Sequence, residues 1–159
     1  MNSKPLRPPG AIAETDFLAT CIRCGKCAQI CPYGSIRTAG FLDGPVMMGT
    51  PVIVPRSKPC YLCMKCPPVC PSGALRREMK RKEDVRMGIA KIDDKECLAW
   101  QGTLCRSCYD DCPLFGEAIV MDKELRPVVD EKKCVGCGIC ENVCPVEEPT
   151  IKVRPGGRT

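Results

Sequence analysis

Apolar residues fall in short runs set among glycines and prolines, and each run has the length of a strand. Four of them read Gly34-Ser-Ile-Arg37, Gly73-Ala-Leu-Arg76, Glu117-Ala-Ile-Val-Met121 and Thr150-Ile-Lys-Val153. Three more, Pro51-Val-Ile-Val54, Gly88-Ile-Ala-Lys-Ile-Asp93 and Pro127-Val-Val-Asp130, stand ahead of the later cysteine groups. The expected order is strand, tight loop, short helical turn, strand, repeated along the chain, which is an α+β fold of short hairpins and short helices. No run approaches the length that crosses a bilayer, so no transmembrane segment is expected.

Composition changes that picture in one respect. Of 159 residues 16 are cysteine, and the hydrophobic share of 44% includes them. Without them roughly a third of the chain is apolar, a thin core for this length. Something besides burial must hold the fold. Aromatics are 4%, while 16 prolines and 14 glycines mark a loop-rich chain, so a large single-sheet enzyme is excluded. Histidine is absent, which removes His-ligated zinc, Rieske-type centres, His-ligated haem and any imidazole base. The net charge of +5 comes from 24 basic and 19 acidic residues and does not demand nucleic acid. The most basic run, Arg76, Arg77, Lys80, Arg81, Lys82 and Arg86, is interleaved with Glu78, Glu83 and Asp84. It reads as a solvated connection before it reads as a nucleic-acid or docking surface.

The cysteines form four tetrads: Cys21, Cys24, Cys27 and Cys31; Cys60, Cys63, Cys66 and Cys70; Cys97, Cys105, Cys108 and Cys112; Cys134, Cys137, Cys140 and Cys144. Three follow C-x2-C-x2-C-x3-C-P, and the third opens its first gap to seven residues, 98–104, before resuming the pattern. Three thiolates two residues apart on a tight loop can meet three corners of a cubane, and the fourth, just before Pro32, Pro71, Pro113 or Pro145, points away. In two-cluster ferredoxins that fourth cysteine ligates the other cluster, which stitches paired motifs together. Gly25, Gly136 and Gly138 sit where the loops turn hardest. Sixteen cysteine ligands for four 4Fe–4S clusters is the reading this spacing supports, and metal–thiolate bonds then replace missing apolar burial.

Structural zinc is the alternative: four all-cysteine sites would also use sixteen thiolates, but zinc favours two separated C-x2-4-C knuckles. A disulfide framework fits a reducing compartment poorly. With every ligand position filled by cysteine, and no nucleophile with a paired base, the chain is expected to carry electrons and not to be an enzyme. Pairing of the tetrads stays open between serial (first with second, third with fourth) and nested (second with third, first with fourth). Serial pairing divides the chain into an N-terminal arm 1–20, a first ferredoxin-like module 21–90, a second 91–154 and a tail 155–159. Residues 1–10 and 155–159, rich in proline, glycine and basic residues, are not expected to fold alone: they are either disordered or arms that order only against neighbouring subunits or further copies of the chain. Trp100, in the stretched third tetrad, is expected to shield its own cluster. Apolar neighbours Ile22, Ile30, Val135 and Ile139 suggest partly dry clusters of low potential.

The segment Leu6-Arg7-Pro8-Pro9-Gly10-Ala11 ahead of Cys21-Ile-Arg-Cys24-Gly, the Gly49-Thr50-Pro51 before the second tetrad, Cys70-Pro-Ser-Gly-Ala-Leu75, and Cys97-Leu-x-x-Gln-Gly-x-x-Cys105 resemble the ferredoxin-type proteins of the NapG and MauM group, from about Leu6 to Pro155. Members of that group usually carry a twin-arginine export signal. The opening residues here carry no such signal, so a cytoplasmic location is expected, or a periplasmic one if the chain is a trimmed mature form. Size and tetrad number are also similar to the small polyferredoxin subunit that accompanies tungsten aldehyde oxidoreductases. That resemblance implies an electron-transfer subunit working between a tungsten- or molybdenum-pterin catalytic subunit and a flavin subunit or another acceptor.

Overall fold

The computed structural model describes residues 5–156. It contains six short strands: β1 (Ile36–Thr38), β2 (Pro51–Ile53), β3 (Gly88–Ile92), β4 (Ile119–Met121), β5 (Pro127–Val129) and β6 (Ile151–Pro155). Four helices accompany them: α1 (Glu14–Thr20), α2 (Lys26–Gln29), α3 (Ser107–Asp110) and α4 (Ile139–Asn142). The strands pair antiparallel as three separate ribbons, β1 with β2, β4 with β5, and β3 with β6. Six of the seven apolar runs form strands where expected. The seventh, around Leu75, makes only an isolated bridge to Ala11.

Neither a two-stranded ribbon nor a single helical turn is stable in water alone. Here β2 is buried along its whole length and β1 through Ile36. α2 and α4 each begin at a left-handed glycine, Gly25 and Gly138, and each carries the third cysteine of its tetrad. The buried core is in large part sulfur: Cys60, Cys66, Cys70, Cys108, Cys134, Cys137, Cys140 and Cys144 belong to the same cluster as Phe17, Leu75, Val85 and Ile119.

The chain folds as tandem ferredoxin modules of common plan. In the second, β4 and β5 form the inner hairpin while β3 and β6 join its beginning to its end. In the first, β1 and β2 form the hairpin, and the terminal ribbon shrinks to two hydrogen bonds, Ile12 N–H to Ala74 O (3.2 Å) and Arg76 N–H to Gly10 O (2.8 Å). The described part of the expected N-terminal arm is therefore built into the first module. Leu6 bridges Ile53 at the edge of the hairpin, and Pro8 and Pro9 are fully buried. Prolines lack the donors for a long ladder, so this stretch packs where its counterpart β3 pairs. Residues 1–4 and 157–159 lie outside the described residues. The expected divisions also shift at two points: β3 runs through 90/91, and Pro155 ends β6.

One buried cation fastens the N-terminal segment. The Arg7 guanidinium, 6% exposed, donates to both carboxylate oxygens of Glu14 (2.6 and 3.0 Å), to Thr50 Oγ1 (2.8 Å) and to Pro51 O (2.9 Å). It also lies 4.6 Å above the ring of Phe17, a cation–π contact. Burying Phe17 stabilises the module by on the order of 2 kcal/mol.

The modules meet through the first module's loop after β2 and the last tetrad. Arg56 donates five hydrogen bonds to carbonyl oxygens: Glu141 (3.2 Å), Asn142 (3.1 Å) and Cys144 (2.9 Å) from one nitrogen, Val146 (2.9 Å) and Glu147 (3.1 Å) from the other. Asn142 Nδ2 donates back to Arg56 O (2.9 Å), and Cys60 N–H donates to Cys137 O (2.9 Å). Gly138 allows this approach, and Gly136 allows the tetrad loop to lie against β3 of its own module. A Cβ on Gly136 would stand 2.3 Å from the Gly88 nitrogen, and one on Gly138 would stand 2.4 Å from the Pro55 Cβ.

Candidate metal centres

Four small voids are each lined by four cysteines. Cys21, Cys24 and Cys27 line the first together with Cys70. Cys60, Cys63 and Cys66 line the second with Cys31. Cys134, Cys137 and Cys140 line the third with Cys112, and Cys97, Cys105 and Cys108 line the fourth with Cys144. All sixteen are free thiols. Three consecutive cysteines thus share a void with the last cysteine of the neighbouring tetrad, and the partners are serial: first with second, third with fourth. Nested pairing does not occur.

The voids also stand in a row. Cys66 of the second feels the charge of Cys27 of the first. Cys137 of the third feels Cys60 of the second, and Cys140 of the third feels Cys108 of the fourth. The junction made by Arg56 therefore lies at the middle of the row.

The loops owe their shape to backbone as much as to cysteine. Arg23 and Gly25 flank Cys24 with φ of 57° and 73°, Leu62 and Met64 flank Cys63 with 53° and 55°, and Gly136 and Gly138 flank Cys137 with 73° and 85°. Left-handed backbone at a non-glycine residue costs on the order of 1 kcal/mol. Strain of this kind persists where a loop must turn its amides inward, and the Leu62 and Ile139 amides do hydrogen-bond to Cys60 and Cys137. Only the last tetrad uses glycine at both positions, because β3 of its own module crowds Gly136 and Pro55 of the neighbouring module crowds Gly138. The stretched third tetrad lacks the paired pattern.

Burial dominates the thiols that the loops enclose. It pushes Cys27 and Cys60 up to about 11 and Cys108 and Cys137 up to about 12, and it raises Cys66 and Cys140 strongly as well. For the crossing cysteines burial also acts upward, but three of them are lowered on balance by hydrogen bonds. Cys31 accepts from the amides of Ser35, Tyr33 and Ile36; Cys70 from those of Leu75, Gly73 and Ser72; Cys144 from those of Val146, Thr150 and Ile151. A hydroxyl stands beside each of the three: Ser35 beside Cys31, Ser72 Oγ 3.7 Å from Cys70 Sγ and Thr150 Oγ1 3.8 Å from Cys144 Sγ. Cys112 is the exception: burial raises it, opposed only by the Leu114 amide and the charge of Lys82.

The donor set fits an iron–sulfur cluster. Every void offers thiols and inward amides, the ligands and hydrogen-bond donors such clusters use. The thiols ring a space without converging on a point, and among the described residues no three His, Cys, Asp or Glu side chains gather closely enough to hold one metal ion. Tetrahedral zinc would draw its sulfurs to about 2.3 Å from a single centre.

The surroundings differ in several respects from the expectations. Val135 and Ile139 are buried, but Ile22 and Ile30 are 64% and 41% exposed. Trp100 does not line the fourth void; Leu98 and Ala99 of the same insertion do. Its indole N–H donates to Pro127 O (3.2 Å) and its ring lies 4.4 Å beneath the Arg126 guanidinium, so it clasps the β4–β5 hairpin. Much of the basic run is spent internally. Arg77 donates to Cys70 O (2.6 Å), Arg86 to Val85 O (2.7 Å) and Lys82 to Pro113 O (3.1 Å). Arg56 carries no sequence signal that marks it, since its partners are distant along the chain, and Arg7 stands in the segment 6–11 without its role as a buried clamp being visible there.

Comparison with known proteins agrees with this geometry. Residues 20–74 and residues 90–153 each match a family described as a 4Fe-4S dicluster domain. The ferredoxin-type protein NapG of Escherichia coli K12 is 45% identical over 94% of this chain and 70% of its own length. The methylamine utilization ferredoxin-type protein MauM of Paracoccus denitrificans is 39% identical over 98% of this chain and 73% of its own. The ferredoxin-type protein NapF of E. coli K12 is 31% identical over 94% and 86%. With four cysteine-lined voids arranged as two pairs and relatives that align along nearly its whole length, the chain belongs to the NapG and MauM family of ferredoxin-type 4Fe–4S electron-transfer proteins.

Proposed function

We propose that the sixteen cysteines hold four 4Fe–4S clusters in a row, and that the chain is the electron-transfer subunit of an oxidoreductase complex. The observation that carries this reading is the crossing: each void takes three cysteines from one tetrad and the fourth from its partner, and the voids adjoin one another from the first to the fourth. The clusters, when bound, supply one-electron chemistry. The chain fastens the two modules through Arg56 and the Cys60–Cys137 backbone bond, aims amides at sulfur, and buries five of the eight cysteines of the two middle sites. Electrons would pass between a catalytic subunit, with a pterin-dependent tungsten or molybdenum oxidoreductase as the working candidate, and a flavin subunit or another acceptor. The internally bonded basic run supports a protein partner over nucleic acid.

Anaerobically purified chain is expected to contain about sixteen iron and sixteen acid-labile sulfide, with a visible absorption that dithionite bleaches. About four zinc with no sulfide would replace this reading with a structural zinc module.

A further inference from the structure

The two inner hairpins share a plan but end differently. Residues 122–126 close the second with polar groups turned on one another: Arg126 bonds Asp122 (2.8 Å) and Glu124 (3.1 Å). The first is closed by a longer loop, 39–50, whose tip is apolar and faces solvent. Leu42 is 100% exposed, Phe41 76% and Val46 65%. This loop is nevertheless held in shape. Arg37 grips the Asp43 carboxylate with two bonds (2.6 and 2.7 Å) and pulls its pKa down to about 2, Gly40 N–H donates to the same group (2.7 Å), and Thr50 N–H donates to Met47 O (2.9 Å).

The loop stands over the first void. Arg23, inside that void's cysteine loop, donates to Val46 O (3.2 Å), and its side chain reaches to 3.0 Å from where a Gly49 Cβ would be. Ile22, next to Arg23 in the chain, is also exposed. Cys24, between Arg23 and Gly25, is the one exposed cysteine among the sixteen. The site with the exposed cysteine therefore lies under a loop that carries exposed Phe41, Leu42 and Val46. Arg23 and Lys26 flank Cys24, both exposed, and neither has a carboxylate partner among the described residues.

We propose that this face, formed by Ile22, Phe41, Leu42 and Val46 around Cys24, docks a protein redox partner that presents an apolar centre ringed by carboxylates, and that the chain exchanges electrons with it through the first site. This rests on the electron-transfer reading above. An exposed apolar patch of ordered side chains is a recognition surface. The unpaired charges of Arg23 and Lys26 select an acidic partner and speed its encounter.

The test uses the full chain with its clusters, a Phe41→Ser/Leu42→Ser/Val46→Ser variant, and a Leu125→Ser control on the other hairpin. The probes are flavodoxin, an acidic flavoprotein, and methyl viologen, which needs no docking surface. The triple variant is expected to bind oxidised flavodoxin about tenfold more weakly and to accept electrons from reduced flavodoxin about tenfold more slowly, while viologen reduction and the control keep wild-type values. Wild-type reduction by flavodoxin should also slow as salt rises. Equal flavodoxin binding and rates in wild type and triple variant would overturn the proposal. So would wild-type binding to anionic phospholipid vesicles that the variant loses, or a dimer that the variant breaks, because the face would then belong to a membrane or a second copy. Failure of viologen to reduce wild type and variant alike would instead strike the electron-transfer reading itself.

Discussion

The first and second modules share their wiring and differ in how they are held. Around the first void and hairpin the chain invests apolar bulk and a buried ion pair, with Phe17 fully buried and Arg7 locked to Glu14. The second depends on sulfur and on a strand ribbon. Cys134, Cys137, Cys140 and Cys144 are all buried, and β3 pairs with β6 along five residues. One end of the row is thus open to solvent at Cys24, while three of the four cysteines of the third void, Cys134, Cys137 and Cys140, are buried. The lesson is that crossed cysteines set the spacing of the sites, and the packing around them decides which site meets the outside.

The largest expected effect treats the modules alike. Stripping iron with a chelator under oxidising conditions should unfold both, because eight of the 24 described residues of the buried core are cysteine and would lose their ligand bonds. Loss of far-ultraviolet circular dichroism in step with the visible absorption would show it; an unchanged second module would mean that its ribbon suffices alone. The next effect separates the modules. Arg7→Met leaves Glu14 without its partner and should destabilise the first module by about 3 to 5 kcal/mol. Hydrogen exchange should then rise around residues 6–17 and 50–53 while 88–92 stays protected.

Arg56→Met addresses the junction. Losing five bonds from one guanidinium should cost about 2 to 4 kcal/mol of the docking between modules and loosen 141–147 in hydrogen exchange, with both hairpins intact. Wild-type exchange at those residues would contradict the role given to Arg56. The smallest effect concerns tuning. Thr150→Val removes the hydroxyl beside Cys144, and hydrogen bonds to sulfur raise cluster potentials. The fourth site's midpoint in a redox-titrated EPR experiment should fall by on the order of tens of millivolts, with the first three unmoved.

Chemistry was legible in the sequence and its framing was not. The tetrads and their spacing pointed to all sixteen lining residues, and six strands followed from short apolar runs. Intervals between tetrads could not choose serial over nested pairing, because loop closure costs nearly the same for loops of similar length. Composition misled at the N-terminus, where Pro8 and Pro9 look like a linker and are buried. Arg23, Leu62 and Met64 adopt left-handed backbone that nothing in their side chains announces. Arg56 reads as one more surface cation, since its acceptors are carbonyls 85 to 91 residues away. Trp100 invites the role of a shield, yet the small side chain of Ala99 fits the void's wall and the indole needs an acceptor, which Pro127 provides.

The crossing itself is tested most directly by iron counts on two double variants. Cys24→Ala/Cys70→Ala removes two cysteines of the first void, whereas Cys24→Ala/Cys31→Ala removes one each from the first and second. The account predicts about twelve iron retained in the former and about eight in the latter. The reverse order, about eight and about twelve, would mean that each tetrad serves its own site and would contradict the crossed wiring on which the account stands.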